Sequence, residues 1–397
     1  MNQVGMKKIF LISEYILPTQ NTTGYLFHKL HKNLKQQYGD NLKVLVKEDP
    51  IHKIEDAILV ADVNLNKKKL TQRLFFELVI SLKFLIKILK HVGKGDVVFT
   101  GTTPIFLLPI VYVAKKIKKF NWILLVHDVF PENLIAANVL KSNNPFYKIL
   151  KFLFDRFYAE ADKRIVIGQD MKELIDDKVG KSDSIIIQNW IDHHDIEIQE
   201  KNNILNELGW QSEQPIFYFF GNIGRVQGIH NIIQALKILP VGQRPKVLFI
   251  GSGAYEHELK DQINRLNDKN VQYIGSLDPS KKSDGLNAGD IAIVTLAEGM
   301  YGLGVPSKAY YSMAADKPLL AIMEEKSEIV SMVEKHTIGW SVSAGDPQAL
   351  ADLFLEICQN FNTKELSSSR KVLIENYSEQ IAMKKIVNVI EEVRLSK

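Results

Sequence analysis

The chain has 397 residues, of which 46% are hydrophobic and 24% are charged, as in a globular protein long enough for two domains. Its single cysteine, Cys358, excludes a disulfide framework and a multi-cysteine metal site, and is typical of a reducing compartment. No segment contains the roughly 20 uncharged apolar residues that span a bilayer, and residues 1–8 lead into a strand rather than into a signal-peptide core.

Basic residues are concentrated in the first part of the chain. Residues 1–150 contain 22 Lys and Arg against 11 Asp and Glu, a balance of +11, whereas the remaining residues contain 28 against 35. This asymmetry predicts an anionic surface partner for the first half. Because no nucleic-acid-binding signature occurs, we expect an anionic membrane surface and not nucleic acid.

Strands and helices alternate through the first half. Predicted strands span residues 7–13, 42–48, 96–101, 121–128, 164–168 and 184–190, and predicted helices span residues 70–91, 104–118 and 144–161, with another that starts near Gly24. Residues 192–209 are polar and lack strand signals, so we place an interdomain linker there.

A second alternating series follows the linker. Predicted strands span residues 215–224, 246–253, 271–277 and 291–296, with another near Trp340, and predicted helices span residues 230–238, 307–316, 348–361 and 378–394. This alternation predicts an α/β fold of two Rossmann-like, doubly wound parallel sheets. Ligands bind at the carboxyl ends of such strands, so we expect the two domains to face a catalytic cleft.

Glycine clusters end four strands of the second half. They are Gly221 to Gly224, Gly251 to Gly253, Gly275 with Ser276, and Gly302 to Gly304. One such cluster is weak evidence, but four in one domain predict a nucleotide-sized ligand.

Two cations accompany these glycines. Lys308 follows the helix-start signals Pro306 and Ser307, and a helix N-terminus after a glycine loop favours an anionic group such as phosphate. Arg225 follows Gly224, and its guanidinium suits a diphosphate. The alternatives are a solvated surface lysine and an arginine that caps a turn.

Polar residues also end strands of the first half. His127 and Asp128 end an apolar strand, and with Glu132 they form a site suited to a polyhydroxyl acceptor. The alternative for His127 is a packing role. Thr23 and Gly24 lie at the first strand-to-helix turn and only loosely match a dinucleotide fingerprint.

No metal site is predicted. The cluster of Asp192, His193, His194 and Asp195 falls in the linker and lacks the helical H-x-x-x-H spacing. No Asp-x-Asp triplet occurs in the chain, which favours a metal-free mechanism without a cofactor.

Longer motifs resemble a known family. In the second half they are GNIGRVQGIHNIIQAL, VLFIGSG, VQYIGSL and GLGVPSKAYYSMAADKPLLA; in the first half they are TTG, GTTP, HDVFPEN, RIVIGQDM and IIIQNW. In this order the motifs resemble family 4 retaining glycosyltransferases of the GT-B fold. The most similar branch resembles bacterial fucosamine transferases of surface-polysaccharide assembly.

The resemblance implies a first domain of residues 1–195 that binds acceptor, a second of residues 196–376 that binds a nucleotide-diphosphate sugar, and a final helix, residues 377–397, that returns to the first domain. It implies base contacts at Gly275 and Ser276, diphosphate contacts at Arg225, Ser307 and Lys308, and an active-site histidine at His127. The predicted donor-binding residues are Thr23, Gly24, Gly221, Asn222, Gly224, Gln227, Gly251, Gly275, Ser276, Gly304, Pro306, Ser307 and Tyr311; the predicted catalytic residues are His127, Asp128, Arg225 and Lys308; the predicted acceptor contact is Glu132.

The chain departs from the family pattern at several positions. Asn222 and Gln227 stand where many members have Arg and Lys. Members usually carry two glutamates eight positions apart, and these align with Leu303 and Tyr311 here. Glu298 is near but out of register.

We therefore predict a cytoplasmic, membrane-peripheral glycosyltransferase. It would move a sugar from a nucleotide diphosphate, UDP by resemblance, to a lipid-linked saccharide in capsule, O-antigen or exopolysaccharide assembly, with retention and without metal. Two alternatives stay open: a nucleotide-sugar 2-epimerase on the same architecture, and a catalytically silent binding subunit, with which the absent glutamates are compatible.

Lysines on the long predicted helix, residues 70–91, suggest the membrane contact. Lys83, Lys87 and Lys90 share one helix face by their spacing. Lys67, Lys68 and Lys69 precede the helix, and Lys115, Lys116, Lys118 and Lys119 lie in the same half. A merely solvated lysine face is the alternative.

Overall fold

The computed structural model describes residues 7–49, 54, 57–62, 70–199, 203–210 and 214–396. The chain forms two compact units. Unit 1 comprises Met1–Ile135, Leu140–Gln188 and Gln380–Lys397, and unit 2 comprises Ala136–Val139 and Asn189–Glu379. Residues 67–69, part of the predicted lysine cluster, lie outside the described residues.

Unit 1 contains a seven-stranded parallel sheet in the order β3-β2-β1-β4-β5-β6-β7. Its strands are β1 (Ile9–Ser13), β2 (Leu42–Lys47), β3 (Ala57–Val60), β4 (Val97–Thr100), β5 (Asn121–Val126), β6 (Lys163–Val166) and β7 (Ile185–Ile186). Strands β1 and β4 are buried throughout, as their continuous apolar runs predict. Leu11 of β1 pairs with Val44 of β2 and with Phe99 of β4.

Helices flank this sheet. They are α1 (Thr22–Tyr38), α2 (Leu70–His91), α3 (Leu107–Lys118), α4 (Glu132–Ala136), α5 (Pro145–Glu160) and α6 (Gln169–Val179). Strands β4 to β7 are added in one direction, so right-handed crossovers place α2, α3, α5 and α6 on one sheet face. Each of these helices packs against the next.

Unit 2 contains a six-stranded parallel sheet in the order β10-β9-β8-β11-β12-β13. Its strands are β8 (Ile216–Phe220), β9 (Lys246–Ile250), β10 (Val271–Tyr273), β11 (Ile291–Thr295), β12 (Leu319–Ile322) and β13 (Gly339–Val342). Its helices are α7 (Asn203–Glu207), α8 (Ile229–Ile238), α9 (Glu256–Leu266), α10 (Lys282–Leu286), α11 (Lys308–Ala314), α12 (Glu328–His336), α13 (Pro347–Asn360) and α14 (Ser369–Asn376).

One buried core joins this sheet to α8 and α13. Phe217 of β8 meets the ring of Phe354 of α13 edge-on, with centroids 4.8 Å apart, and Ile232 and Leu236 of α8 are fully buried in the same cluster. The two parallel-sheet α/β domains predicted from the sequence are therefore confirmed.

The last helix, α15 (Glu379–Leu395), belongs almost entirely to unit 1. It buries Ile386 and Ile390, and its Arg394 guanidinium lies 5.1 Å from the ring centroid of Tyr38 in α1. Just beyond the helix, the backbone carbonyl of Ser396 accepts a hydrogen bond of 2.8 Å from Lys7 Nζ. No helix among the described residues is long and apolar enough to cross a membrane.

The lysines of α2 are less exposed than their spacing predicts. Lys83 is half-buried, and its Nζ donates to the carbonyls of Ala61 and Asp62 at 3.0 and 3.2 Å. Lys87 is also half-buried, and only Lys90 is exposed. Of the three lysines predicted to share one face, Lys90 is therefore the most accessible to an outside partner.

Candidate functional site

Glycines close the carboxyl ends of three neighbouring strands in unit 2. Gly221 N donates to Ile250 O at 3.0 Å, and Gly251 N donates to Gly275 O at 2.7 Å, so the chains stay paired beyond β8, β9 and β10. A Cβ on Gly251 would lie 1.8 Å from Gly221 O, and Gly251 has φ 137°. Only glycine allows this close approach of backbones, which leaves an edge lined by main chain.

The turn after β8 lies against the end of β11. Gly224 begins a 3₁₀ turn, Arg225–Gln227, and Gly228 follows with φ 66°. A Cβ on Gly228 would lie 2.6 Å from Leu296 O, and Ala297 N donates to Val226 O at 2.9 Å. These contacts bring the predicted diphosphate turn beside the loop that precedes α11.

Lys308 reaches this turn from the first turn of α11. Its Nζ donates to Gln227 Oε1 and lies 3.9 Å from the ring centroid of Phe219, which is buried in β8. Its Cε is 3.8 Å from where a Cβ on Gly221 would be. The structure therefore brings together Lys308, Gln227 and Gly221, three residues predicted for the donor site.

The environment of Lys308 leaves its charge uncompensated. Among the described residues, no carboxylate lies within ion-pair distance of its ammonium. Burial lowers the pKa of Lys308 to about 7. An ammonium held with only an amide oxygen and a ring favours an anionic ligand, because a buried charge is stable only when it is paired.

The remaining predicted donor residues of unit 2 line the same edge. Arg225, Asn222 and Ser276 are exposed, and Gly275 has φ 80°. Gly304, Pro306 and Ser307 are half-buried in the loop before α11. Ser307 O accepts a hydrogen bond of 3.1 Å from Tyr310 N, so the helix starts where its sequence signals predict.

Glu298, the out-of-register glutamate, lies elsewhere. A Cβ on Gly345 would be 2.2 Å from Glu298 Oε1, so this carboxylate rests on the turn after β13. Strands β11 and β12 separate β13 from β8. The Glu298 carboxylate is therefore directed at the turn after β13, although its neighbour Ala297 contacts the turn that contains Gln227.

Tyr311, one of the predicted donor-binding residues, contacts a lysine of α10. The ammonium of Lys282, in α10, lies 3.5 Å from the ring centroid of Tyr311. Burial lowers the pKa of Lys282 to about 8, although the Asp195 charge opposes the shift. Burial, and then the Asp195 charge, raise the pKa of the Tyr311 hydroxyl. Lys282 is not predicted from the sequence, because a lysine in a polar stretch carries no local signal.

The predicted donor-binding residues Thr23 and Gly24 lie in unit 1. Both fall in the first turn of α1, where Asn21 Oδ1 accepts a hydrogen bond of 2.8 Å from Gly24 N. A Cβ on Gly24 would lie 2.3 Å from Leu17 O, so the glycine permits a tight entry into the helix.

His127 and Asp128 follow β5 in unit 1. Their backbone N–H groups both donate to Thr102 Oγ1 at 3.3 Å, so one buried hydroxyl fixes the strand end. Burial lowers the pKa of His127 to about 4 and raises the pKa of Asp128 to about 6. His127 Nε2 is buried without a hydrogen-bond partner among the described residues. A neutral imidazole with an unsatisfied nitrogen suits a hydroxyl ligand.

Glu132 enters an ion-pair network instead of standing alone. Its Oε1 accepts from Lys178 Nζ at 2.6 Å, and Lys178 also contacts Asp155 Oδ1 at 2.6 Å. Lys151 adds a second cation, 3.5 Å from Glu132 and 2.8 Å from Asp155. The other Glu132 oxygen, Oε2, is buried without a hydrogen-bond partner in the described part of the chain.

The histidines of the linker region are close together. Ligand atoms of Asp192, His193 and His194 lie within 4.8 Å of one another. Asp192 Oδ1 accepts from His194 N at 3.0 Å and so caps a 3₁₀ turn. Burial, His194 and the Arg370 charge lower the pKa of His193. Since a nearby guanidinium disfavours another cation, we assign no metal to this cluster.

Comparison with known proteins identifies the family. Residues 200–379 match the family model described as "Glycosyl transferases group 1". A Pseudomonas aeruginosa protein described as "Probable glycosyltransferase WbjE" is 39% identical over 394 residues, which cover 96% of each chain. The chain belongs to the glycosyltransferases, with a group 1 domain over residues 200–379. The predicted enzyme class is thereby confirmed.

Solved structures share the fold of this glycosyltransferase. Sucrose-phosphate synthase from Thermosynechococcus elongatus superposes with a TM-score of 0.76 at 15% identity, over 98% of this chain and 99% of that one. HepE from Anabaena, in complex with UDP, superposes with a TM-score of 0.70 at 16% identity, over 97% of this chain and 100% of that one. At these identities the likeness is one of fold, and it confirms the predicted GT-B class.

Proposed function

We propose that this glycosyltransferase transfers a sugar from a nucleotide diphosphate, with UDP as the nucleotide, to a lipid-linked saccharide. The observation that carries the proposal is the uncompensated ammonium of Lys308 at a glycine-lined strand edge. The structures of HepE with UDP and with UDP-glucose support the choice of nucleotide. The resemblance to family 4 supports retention of anomeric configuration and a role in surface-polysaccharide assembly.

Charge on the leaving diphosphate explains the role of Lys308. As the glycosidic bond breaks, the diphosphate gains negative charge, and a cation fixed beside it stabilises the transition state more than the ground state. Gln227 Oε1 holds the ammonium in place until the donor arrives. Arg225, exposed on the same turn, supplies a second cation.

In unit 1, His127 is proposed to contact a sugar hydroxyl. Its Nε2 is buried and unsatisfied, and its low pKa keeps the imidazole neutral near pH 7. Asp128, whose pKa is about 6, is largely ionised at that pH and is proposed to accept a hydrogen bond from the acceptor. Thr102 orients both residues through their backbone.

The enzyme is proposed to act without a metal ion. The chain has no Asp-x-Asp triplet, and Lys308 and Arg225 are proposed to neutralise the diphosphate in place of a metal. We expect turnover to persist after EDTA treatment and dialysis. Complete loss of turnover in EDTA, with recovery on addition of Mn²⁺ or Mg²⁺, would contradict this.

Donor affinity is expected to depend on pH through Lys308. Only the ammonium form binds a diphosphate strongly, so UDP affinity should be highest below the pKa of about 7. Above that pH the affinity for UDP should fall by up to about tenfold per pH unit, until the pH reaches the pKa that Lys308 has in the UDP complex. Calorimetric titration of UDP from about pH 6 to about pH 9 measures this, and a flat profile would contradict it.

Lys308→Arg is the matched control for the pH profile. A guanidinium stays charged throughout this range, so the variant should bind UDP with little change in affinity as the pH rises. A variant profile as steep as that of the parent would assign the titration to another group.

The cell membrane is the proposed location, at its cytoplasmic face. The single cysteine fits a reducing compartment, and the +11 balance of residues 1–150 fits an anionic lipid surface. A lipid-linked acceptor would be presented at the same surface.

Turnover of a panel of nucleotide sugars tests the proposed function. Followed by NMR without acceptor, a transferase should slowly release free sugar and the nucleoside diphosphate from one donor. Formation of an isomeric nucleotide sugar would indicate a 2-epimerase instead. No reaction with any donor, despite UDP binding, would indicate a silent binding subunit.

A further inference from the structure

The layer of helices α2, α3 and α5 in unit 1 exposes a continuous set of large apolar side chains. On α2 the most exposed ridge is Phe75, Leu78, Leu82 and Ile86, with exposures of 58, 40, 45 and 64%. These positions recur every three or four residues, so they lie on one side of the helix. The opposite side is core, since Phe76, Ile80, Phe84 and Ile88 are buried.

The neighbouring helices continue this surface. On α3 the exposed apolar residues are Val113 and Ile117, and on α5 they are Phe146, Ile149, Phe152 and Leu153. Helix α3 packs against both α2 and α5. The rings of Tyr112 and Phe157 join α3 to α5 with centroids 5.1 Å apart, and Lys118 Nζ donates to Leu89 O of α2 at 3.0 Å. All three helices cover the same sheet face, so their outer ridges face away from it together.

Positive charge accompanies the apolar ridges. Helices α2, α3 and α5 contain ten Lys and Arg against three Asp and Glu. Lys90, Lys116, Lys148 and Arg156 are exposed, and the Arg156 guanidinium lies 4.2 Å from the ring centroid of Phe152. Long basic side chains can keep their charges at lipid headgroups while neighbouring apolar side chains enter the acyl boundary.

The next helix of the layer ends this surface. Helix α6 packs against α5, but its exposed residues are Gln169, Glu173 and Asp177. The exposed side chains thus change from apolar and basic on α2, α3 and α5 to polar and acidic on α6. This change marks the edge of the apolar and basic surface. An apolar patch of this extent on a globular unit indicates a binding surface.

We propose that the outer surface of α2, α3 and α5 docks into the headgroup region of an anionic bilayer, with its apolar side chains inserted and its basic side chains on lipid phosphates. This rests on the proposed function, because a lipid-linked acceptor would be presented at that surface. A second copy of the chain fits less well, since a symmetric contact would place two basic surfaces against each other. Binding should therefore resist salt in part, because insertion of apolar side chains is not screened.

A triple substitution tests the surface. The variant carries Ile86→Ser, Ile149→Ser and Phe152→Ser, at positions exposed by 64, 58 and 55%. The control carries Ile238→Ser, Val241→Ser and Ile374→Ser, which replace exposed apolar residues of unit 2. Each full-length chain is sedimented with vesicles of phosphatidylglycerol and phosphatidylethanolamine, or of phosphatidylcholine alone, at low and high salt.

We expect the parent and the control to bind the anionic vesicles and to retain part of that binding at high salt. The surface variant should bind roughly a hundredfold more weakly, with an unchanged thermal midpoint, because its apolar insertion is lost. Equal binding by variant and control, equal binding to both lipid types, or no binding by the parent would overturn the inference. So would a parent dimer in sedimentation velocity that only the surface variant abolishes.

Donor hydrolysis without vesicles separates this inference from the proposed function. A parent chain that hydrolyses a nucleotide sugar but ignores vesicles would refute only the docking surface. A parent chain that binds vesicles but turns over no donor would refute the proposed function and leave the membrane contact established.

Discussion

Replacing Lys308 with Ala is expected to lower turnover roughly ten- to hundredfold, because one charge-assisted contact is worth about 1.5–3 kcal/mol. The loss should appear in kcat, since the contact strengthens as charge develops on the leaving diphosphate. UDP affinity should fall as well. Steady-state kinetics with the active donor measure both effects.

The fold should survive this change. Lys308 is half-buried and has no carboxylate within ion-pair distance among the described residues, and its burial disfavours the charged form, so it costs stability. Lys308→Met should therefore keep or raise the thermal midpoint while losing turnover. Lys237→Ala, at an exposed lysine of α8, is the control and should leave turnover unchanged. A well-folded Lys308→Ala enzyme with parental kcat would remove Lys308 from the mechanism.

Replacing Lys178 with Met is expected to destabilise unit 1 by up to about 3–5 kcal/mol, because two half-buried carboxylates would lose the fully buried lysine that is their main cation. The Lys178 side chain is fully buried and contacts both Glu132 and Asp155 at 2.6 Å. Lys151 remains, but it is 40% exposed and lies 3.5 Å from Glu132. Hydrogen exchange of α4, α5 and α6 measures the loss locally, which suits a chain of two units.

Lys172→Met on the same helix is the matched control. Lys172 is 23% exposed, unlike the fully buried Lys178, and its pair with Asp176 joins adjacent turns of one helix, so its loss should cost about 0–1 kcal/mol. Similar protection from hydrogen exchange in the two variants would contradict the role of Lys178 as a buried ion-pair partner. Glu132→Gln then decides between this role and acceptor binding: the first predicts lost stability, and the second a raised KM for acceptor with stability intact.

The sequence predicts the sheets well because their strands are continuous apolar runs. The runs of β1, β9 and β11 are buried almost throughout, so hydrophobicity alone marks them. Strand β3 was missed because it is a short strand, only partly buried. Helix α9 was missed because EHELKDQINRL is largely charged and buries only Leu259 and Leu266.

The predicted site residues are marked by local sequence patterns, but the contacts among them join residues that are far apart in the sequence. Glycine clusters and helix-start signals consist of adjacent residues. They therefore indicate the strand edge of unit 2 from the sequence alone. The contact between Lys308 and Gln227 spans 81 positions, and that between Lys282 and Tyr311 depends on how α10 packs beside α11. No local pattern contains such pairs.

The exposed ridge of α2 shows another limit of prediction from the sequence. The helix is apolar on almost every side, so periodicity cannot tell the buried Phe84 from the exposed Leu82. The spacing of the lysines suggests a shared face, but Lys83 donates hydrogen bonds to two backbone carbonyls. Only the packing of α2 on the sheet and on α3 separates core from surface.

A crystal structure of the chain with UDP would show whether Lys308 binds the diphosphate. We expect the diphosphate at the glycine edge after β8 and β9, with a phosphate oxygen about 3 Å from Lys308 Nζ. UDP bound away from this edge, or bound there with Lys308 still paired only to Gln227, would contradict it.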